Sequence, residues 1–223
     1  QVDLHVFADA SEAAYGCCMY VVSHGEAKLI YAKSKVAPLK APTLPRLELQ
    51  AATLAMQRLD QVLGSLRLEV SEIYAWSDSV TALCWIQGDP LRWKAWVRNR
   101  AVAIQELSKK LGVTWRHCPG ISNPADLASR GAPTATLAAD FWLNGPEWLV
   151  DRQAWPPNLS EEAPADASCE ARIYQVEVES SPPRPAWYQR LSQWTRLLGV
   201  ARCVLRWKHK RDPSLEDRKS TRL

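Results

Sequence analysis

The chain has 223 residues, 47% of them hydrophobic, which is enough for a buried core of ordinary domain size plus an appendage and excludes a disordered or fibrous protein. Its apolar runs all fall short of the roughly 20 residues a membrane span requires, and residues 1 to 25 lack the basic start and apolar stretch of a secretory signal. The net charge of +4 decides nothing by its total, so the placement of the basic residues is what carries information.

Residues 2 to 9 and 17 to 22 read as strands and 27 to 33 as a third, with Ser23, His24 and Gly25 as the hairpin turn. From Pro45 to Leu63 the residues Leu47, Ala51, Leu54, Ala55, Leu59, Val62 and Leu63 recur at helical spacing, and Gly64 lies just past them. A short strand from Ile73 to Trp76 runs into Ser77, Asp78 and Ser79, which suit a strand end and the cap of a helix over 80–86. Gly88 to Pro90 breaks the chain. A helical pattern resumes over 93–111, Val113 to His117 reads as a fifth strand, and Asn123 to Ser129 as the start of another helix.

This order predicts an α/β fold, a mixed five-stranded sheet flanked by helices. The domain is expected over 1–155, including a Trp-rich extension from about 132 with Trp142, Trp148 and Trp155. Prolines among Ser, Glu and Ala mark 156–186 as a linker, in which 173–178 has strand character. An amphipathic basic helix is expected over 187–211, and a tail over 212–223. The six cysteines form no C-x-x-C pair and no zinc-module spacing, so reduced, mostly buried thiols are expected. An intracellular location is expected, with cytoplasm and nucleus both open.

Asp9 closes the first strand, Glu48 lies in the first turn of an otherwise apolar helix, Asp78 closes the fourth strand, and Asp126 opens a late helix. Any one of these alone reads as a helix cap or a solvated residue. As a set they invite a common explanation. If strands one and four are neighbours, Asp9 and Asp78 emerge at the same sheet edge, and a helix crossing the sheet brings Glu48 to them. Clustered carboxylates resist joint ionisation, and a divalent cation removes the conflict. Oxygen ligands without His or Cys suit Mg²⁺ or Mn²⁺, and two such ions about 3.5 to 4 Å apart can activate a water and stabilise the leaving oxygen of a phosphodiester.

Several segments carry a family resemblance. Val6-Phe7-Ala8-Asp9-Ala10-Ser11, residues 32–38, Pro45-Arg46-Leu47-Glu48-Leu49, Trp76-Ser77-Asp78-Ser79, Trp115-Arg116-His117-Cys118-Pro119, residues 123–131 and the stretch from Trp142 to Trp155 resemble, in order, the ribonuclease H region of BEL/Pao-type retrotransposon polyproteins. The resemblance spans residues 2 to 157. It implies a ribonuclease H-like fold and a Mg²⁺-dependent endonuclease that cuts the RNA strand of RNA–DNA hybrids during reverse transcription. It also implies that Asp9, Glu48, Asp78 and Asp126 are the metal-binding, catalytic acids. His117 stands where many ribonucleases H have a histidine that assists turnover, though a strand histidine can simply pack.

For the nucleic acid, Arg92, Lys94, Arg98 and Arg100 form a candidate phosphate-binding ridge interleaved with Trp93 and Trp96, whose rings are expected in the core. Lys33 and Lys35 form a second basic stretch, and Ser77 and Asn123 are candidates for phosphate or sugar contacts near the acids. The expected partners are an RNA–DNA hybrid and other segments of the polyprotein, the reverse transcriptase and the integrase region towards which the C-terminal helix leads. No membrane and no small-molecule cofactor are expected. Two other readings stay open on the sequence: a catalytically inactive nucleic-acid-binding module, and a connector that holds a polymerase on its template.

Overall fold

The computed structural model describes residues 2–39, 42–65, 69–158 and 170–171. All of them lie in the first of two compact units, Gln1–Ile173; the basic helix and tail expected beyond residue 186 fall in the second, Tyr174–Leu223, outside the described residues.

Five strands form one sheet. They are β1 (Val2–Ala10), β2 (Ala14–Ser23), β3 (Glu26–Val36), β4 (Glu72–Ser77) and β5 (Val113–His117), in the order β3-β2-β1-β4-β5. The first three pair antiparallel through the hairpin, and β4 and β5 add in parallel on the far side of β1. This is the expected mixed sheet flanked by helices. β1 sits at its centre and is buried from Asp3 to Ala10.

Strand alternation sends successive side chains to opposite faces, and two cores result. Leu4, Val6, Ala8 and Ala10 of β1 join Cys17 and Met19 of β2 and Ala75 of β4 beneath the helices α1 (Leu44–Ser65), α2 (Val80–Gln87) and α3 (Ala95–Leu111). The small residues Ala51, Ala52 and Ala55 are fully buried on α1 and let it lie close to the sheet. On the other face Phe7, Cys18, Tyr20 and Trp76 pack with Ala125 of α4 (Ala125–Arg130) and with the Trp-rich extension.

That extension is α5 (Thr134–Leu137), α6 (Asp140–Asn144) and two short 3₁₀ turns, Glu147–Val150 and Arg152–Ala154. It works as the expected packing element. Leu149 is 1% exposed, Trp148 lies 4.8 Å from the Trp76 ring, and Trp155 lies 4.6 Å from Tyr74. Tyr20 Oη donates to the Trp142 carbonyl at 2.8 Å, and Arg152 pairs with Asp3 and Glu72.

One boundary differs from the sequence reading. The helical pattern suggests a start at residue 93, yet α3 starts at Ala95, after a separate 3₁₀ turn over Pro90–Arg92. Trp93 is in extended backbone, where it forms an isolated bridge with Ala171, and Lys94 N–H donates to the Glu170 carbonyl at 2.8 Å. Glu170, 6% exposed, accepts from Arg46 Nε and Nη2 on its two carboxylate oxygens. A partner so distant in sequence leaves no local signal.

Candidate metal centre

The parallel pairing of β1 with β4 carries Asp9 and Asp78 to the same end of the sheet, because both follow the paired stretches in the same chain direction. Asp9 is 2% exposed and lies opposite Gly16 in the β1–β2 ladder. Asp78 follows the last residue of β4, just before Ser79, whose Oγ caps α2 by accepting from Ala82 N–H at 3.2 Å. Such a cap contributes about 1 kcal/mol and fixes where the strand ends and the helix begins. Glu48 lies in the first turns of α1 between the buried Leu47 and Leu49, so the face of that helix turned to the sheet carries a carboxylate with it.

The result is a tight trio. One carboxylate oxygen from each of Asp9, Glu48 and Asp78 lies within 4.8 Å of the others. Burial is the leading cause of a raised pKa at all three. It pushes Asp9 up to about 7 and Glu48 up to about 9, with Asp78 adding repulsion at Asp9 and both aspartates adding it at Glu48, and Asp78 rises as well. Glu48 Oε2 is buried with no hydrogen-bond partner among the described residues. A buried oxygen without a donor, in an all-oxygen cluster that resists ionisation, fits a hard divalent cation. Asp9, Glu48 and Asp78 are the residues that would hold it.

Asp126 is near but outside the trio. It opens α4, is half-buried, and pairs with Arg130 one turn along; its charge raises Asp9 and Asp78. His117, at the end of β5, is half-buried and near enough to Asp78 to favour its ionised form.

Asn123 and Ser77 are each 1% exposed, and their polar atoms serve the interior. Asn123 Nδ2 donates to the Ala8 carbonyl at 3.1 Å and to Asp78 Oδ1 at 3.3 Å, while its Oδ1 accepts from Ala125 N–H at 3.1 Å. One amide thus ties β1, Asp78 and the start of α4 together. Ser77 Oγ accepts from Ser79 N–H.

The basic candidates lie elsewhere on the surface. Lys33 and Lys35 are exposed on β3, Arg92 and Lys94 are exposed ahead of α3, and Arg98 is half-buried. Arg100 is built into the fold: its Nε donates to Gln50 Oε1 at 2.7 Å and its guanidinium stacks 3.6 Å from the Trp96 ring. Trp93 is buried as expected, and Trp96 is half-buried against the same core.

Two contacts around the acids escaped the sequence reading. Ser129 is 2% exposed and its Oγ donates to Asp9 Oδ2. Gly120 sits so close to Asp78 that an added Cβ would stand 2.9 Å from Oδ2. A signal existed for Ser129, since it follows Asp126 by three residues and so shares its helix face. Gly120 carries none, because its neighbour is set by the fold.

With this geometry in view, a family match falls on the segment that bears the trio. Residues 1–79 match the Pao retrotransposon-like RNaseH-like domain. The matched segment contains Asp9, Glu48 and Asp78 and ends at Ser79. No match was found among curated proteins.

Among solved structures, the N-terminal ribonuclease H domain of a Mycobacterium tuberculosis protein, fused to maltose-binding protein, is 17% identical over 62% of this chain and 100% of that one, with a TM-score of 0.46. LC11-RNase H1 in complex with an RNA/DNA hybrid is 16% identical over 61% and 99%, with a TM-score of 0.46. RNase H1 from the halophilic archaeon Halobacterium salinarum is 15% identical over 58% and 94%, with a TM-score of 0.42.

Proposed function

We propose that the chain is a metal-dependent endonuclease that hydrolyses the RNA strand of RNA–DNA hybrids as part of a retrotransposon polyprotein. The observation that carries this reading is the convergence of Asp9, Glu48 and Asp78, from three separate elements, to within 4.8 Å. The match of residues 1–79 to a retrotransposon RNaseH-like domain supports it.

Asp9, Glu48 and Asp78, joined by Asp126, would hold two Mg²⁺ or Mn²⁺ ions. Such ions neutralise the carboxylates, activate a water and stabilise the leaving oxygen of a phosphodiester. The residues of the chain supply the rest. Asn123 holds Asp78 in place through its amide, and Glu48 keeps an oxygen free of competing donors. His117, at the end of β5 and near Asp78, would assist turnover. In-line attack of a water on phosphorus would leave 5′-phosphate and 3′-hydroxyl ends.

The basic groups Lys33, Lys35, Arg92, Lys94 and Arg98 would contribute phosphate affinity without sequence choice. Reverse transcriptase and integrase segments of the same polyprotein would be its neighbours.

The test is cleavage of an end-labelled RNA–DNA hybrid by the full chain with Mg²⁺, with EDTA and as the Asp78→Asn variant, beside a DNA duplex of the same sequence. Metal-dependent loss of the RNA strand alone, absent in the variant, is the expected result. Hybrid binding without cleavage in Mg²⁺ or Mn²⁺ by the folded protein would overturn the enzyme and favour a binding module.

A further inference from the structure

Ser129 joins two elements that the chain brings together only on folding. Its Oγ donates to Asp9 Oδ2 and lies 3.1 Å from the Asp126 carbonyl oxygen. A hydroxyl has one proton, and a carboxylate accepts it more strongly than a peptide carbonyl does, so the proton is directed to Asp9. The Ser129 carbonyl in turn accepts from Ser11 Oγ at 2.7 Å. Ser11 is itself anchored in the turn after β1, where its Oγ accepts from Ala13 N–H and Ala14 N–H at 3.2 Å each.

The relay runs from the turn after β1, through α4, and back to the end of β1. Its members are buried: Ser11 is 9% exposed and Ser129 and Asp9 are 2% exposed. Ala128, the preceding residue, packs on Gly16, which is the ladder partner of Asp9. The last turn of α4 is therefore located by packing on one side and by Ser11 on the other, and it presents one hydroxyl to one carboxylate.

We propose that Ser129 is the positioning residue of Asp9: its hydroxyl, held by Ser11 and by the seat of Ala128 on Gly16, sets the plane of the Asp9 carboxylate and leaves its remaining lone pairs for the cluster with Glu48 and Asp78. The inference rests on reading the three acids as a metal centre. A carboxylate that rotates freely presents a ligand oxygen for only part of the time, so the hydroxyl acts through ligand geometry and not through contact with substrate. Outer-shell hydrogen bonds of this kind typically change metal affinity by about 10–100-fold when removed.

The experiment is a Mn²⁺ titration of the full chain followed by the electron paramagnetic resonance of the free ion, for the wild type, Ser129→Ala and Ser129→Thr, with circular dichroism as the check on folding. Ser129→Ala is expected to bind Mn²⁺ about tenfold more weakly or worse, and Ser129→Thr, which keeps the hydroxyl, to stay within about threefold of the wild type. Ser129→Cys, close in size but a weak donor, replaces the alanine variant should that one fail to fold, with the same loss expected. Equal affinity of the wild type and the alanine variant overturns the proposal, and so do equal losses for alanine and threonine, which would trace the effect to packing. A folded wild type that binds no Mn²⁺ overturns instead the metal-centre reading beneath it.

Discussion

Ala128 of α4 sits directly on Gly16 of β2: a Cβ at position 16 would stand 2.9 Å from the Ala128 Cβ and 3.0 Å from the Lys33 carbonyl oxygen. Neither neighbour is the end of a flexible side chain, so nothing there can swing away. Because Gly16 faces Asp9 across the ladder, the absence of a side chain at 16 is what lets α4 bring Ser129 down to Asp9 and Asp126 to its vicinity.

Gly16→Val is therefore expected to lift α4 off the sheet. Overpacking of this kind costs about 1–3 kcal/mol, readable as a lower urea midpoint with an unchanged slope. The Mn²⁺ affinity should fall with it, since the Ser129 hydroxyl is withdrawn from Asp9. A valine variant with wild-type stability and wild-type affinity would show that α4 does not depend on this contact.

The raised acids make metal-free stability depend on pH, and the sign follows from proton counting. In the folded chain Asp9 keeps its proton to about 7 and Glu48 to about 9, while unfolded they ionise at the ordinary values of 3.8 and 4.5. Between those limits the folded state holds protons that the unfolded state has released, so stability falls as pH rises. His5 acts in the opposite sense below 6.5, because burial lowers it to about 4, and the buried thiols add to the decline only near their ordinary value of 9.0. From about pH 6.5 to about pH 8 the acids thus dominate these shifts. With EDTA the melting temperature should drop across this window; excess Mn²⁺ should restore it, and by more at the higher pH, because the ion favours the ionised carboxylates. A metal-induced shift that stays constant or shrinks with pH would contradict this account of the site.

The Trp-rich extension shares one face of the sheet with α4, and its Leu149 is 1% exposed there. Leu149→Ala should destabilise the protein by about 2–5 kcal/mol in denaturant unfolding, the range for a truncated buried leucine. Cleavage measured well below the melting temperature should be unaffected, since Leu149 belongs to the apolar cluster of that face and not to the trio of acids. A variant of unchanged stability would mean that the extension is dispensable.

Much of this architecture is legible in the chain because its signals are local. The alternation of β1, the helical spacing of Leu47, Ala51, Leu54 and Ala55, and the Ser79 cap each arise from residues within a few positions of one another. The acids are legible too, since Asp9 and Asp78 close strands and Glu48 breaks an apolar helix face. Trp93 shows where this runs out: it continues a helical pattern, yet its bridge to Ala171 holds it extended.

What the sequence by itself determined, then, is the order of elements, the apolar faces that drive them together, and the identity of the acids at their ends. Only the tertiary structure decided which of those acids meet. Asp9, Glu48 and Asp78 converge, Asp126 stands aside on Arg130, and Ser77 and Asn123 turn inward to serve the site. The reason is physical: periodicity is a property of neighbours along the chain, whereas the seat of Ala128 on Gly16 and the hydroxyl of Ser129 on Asp9 join residues more than a hundred positions apart, through close packing that no single segment encodes.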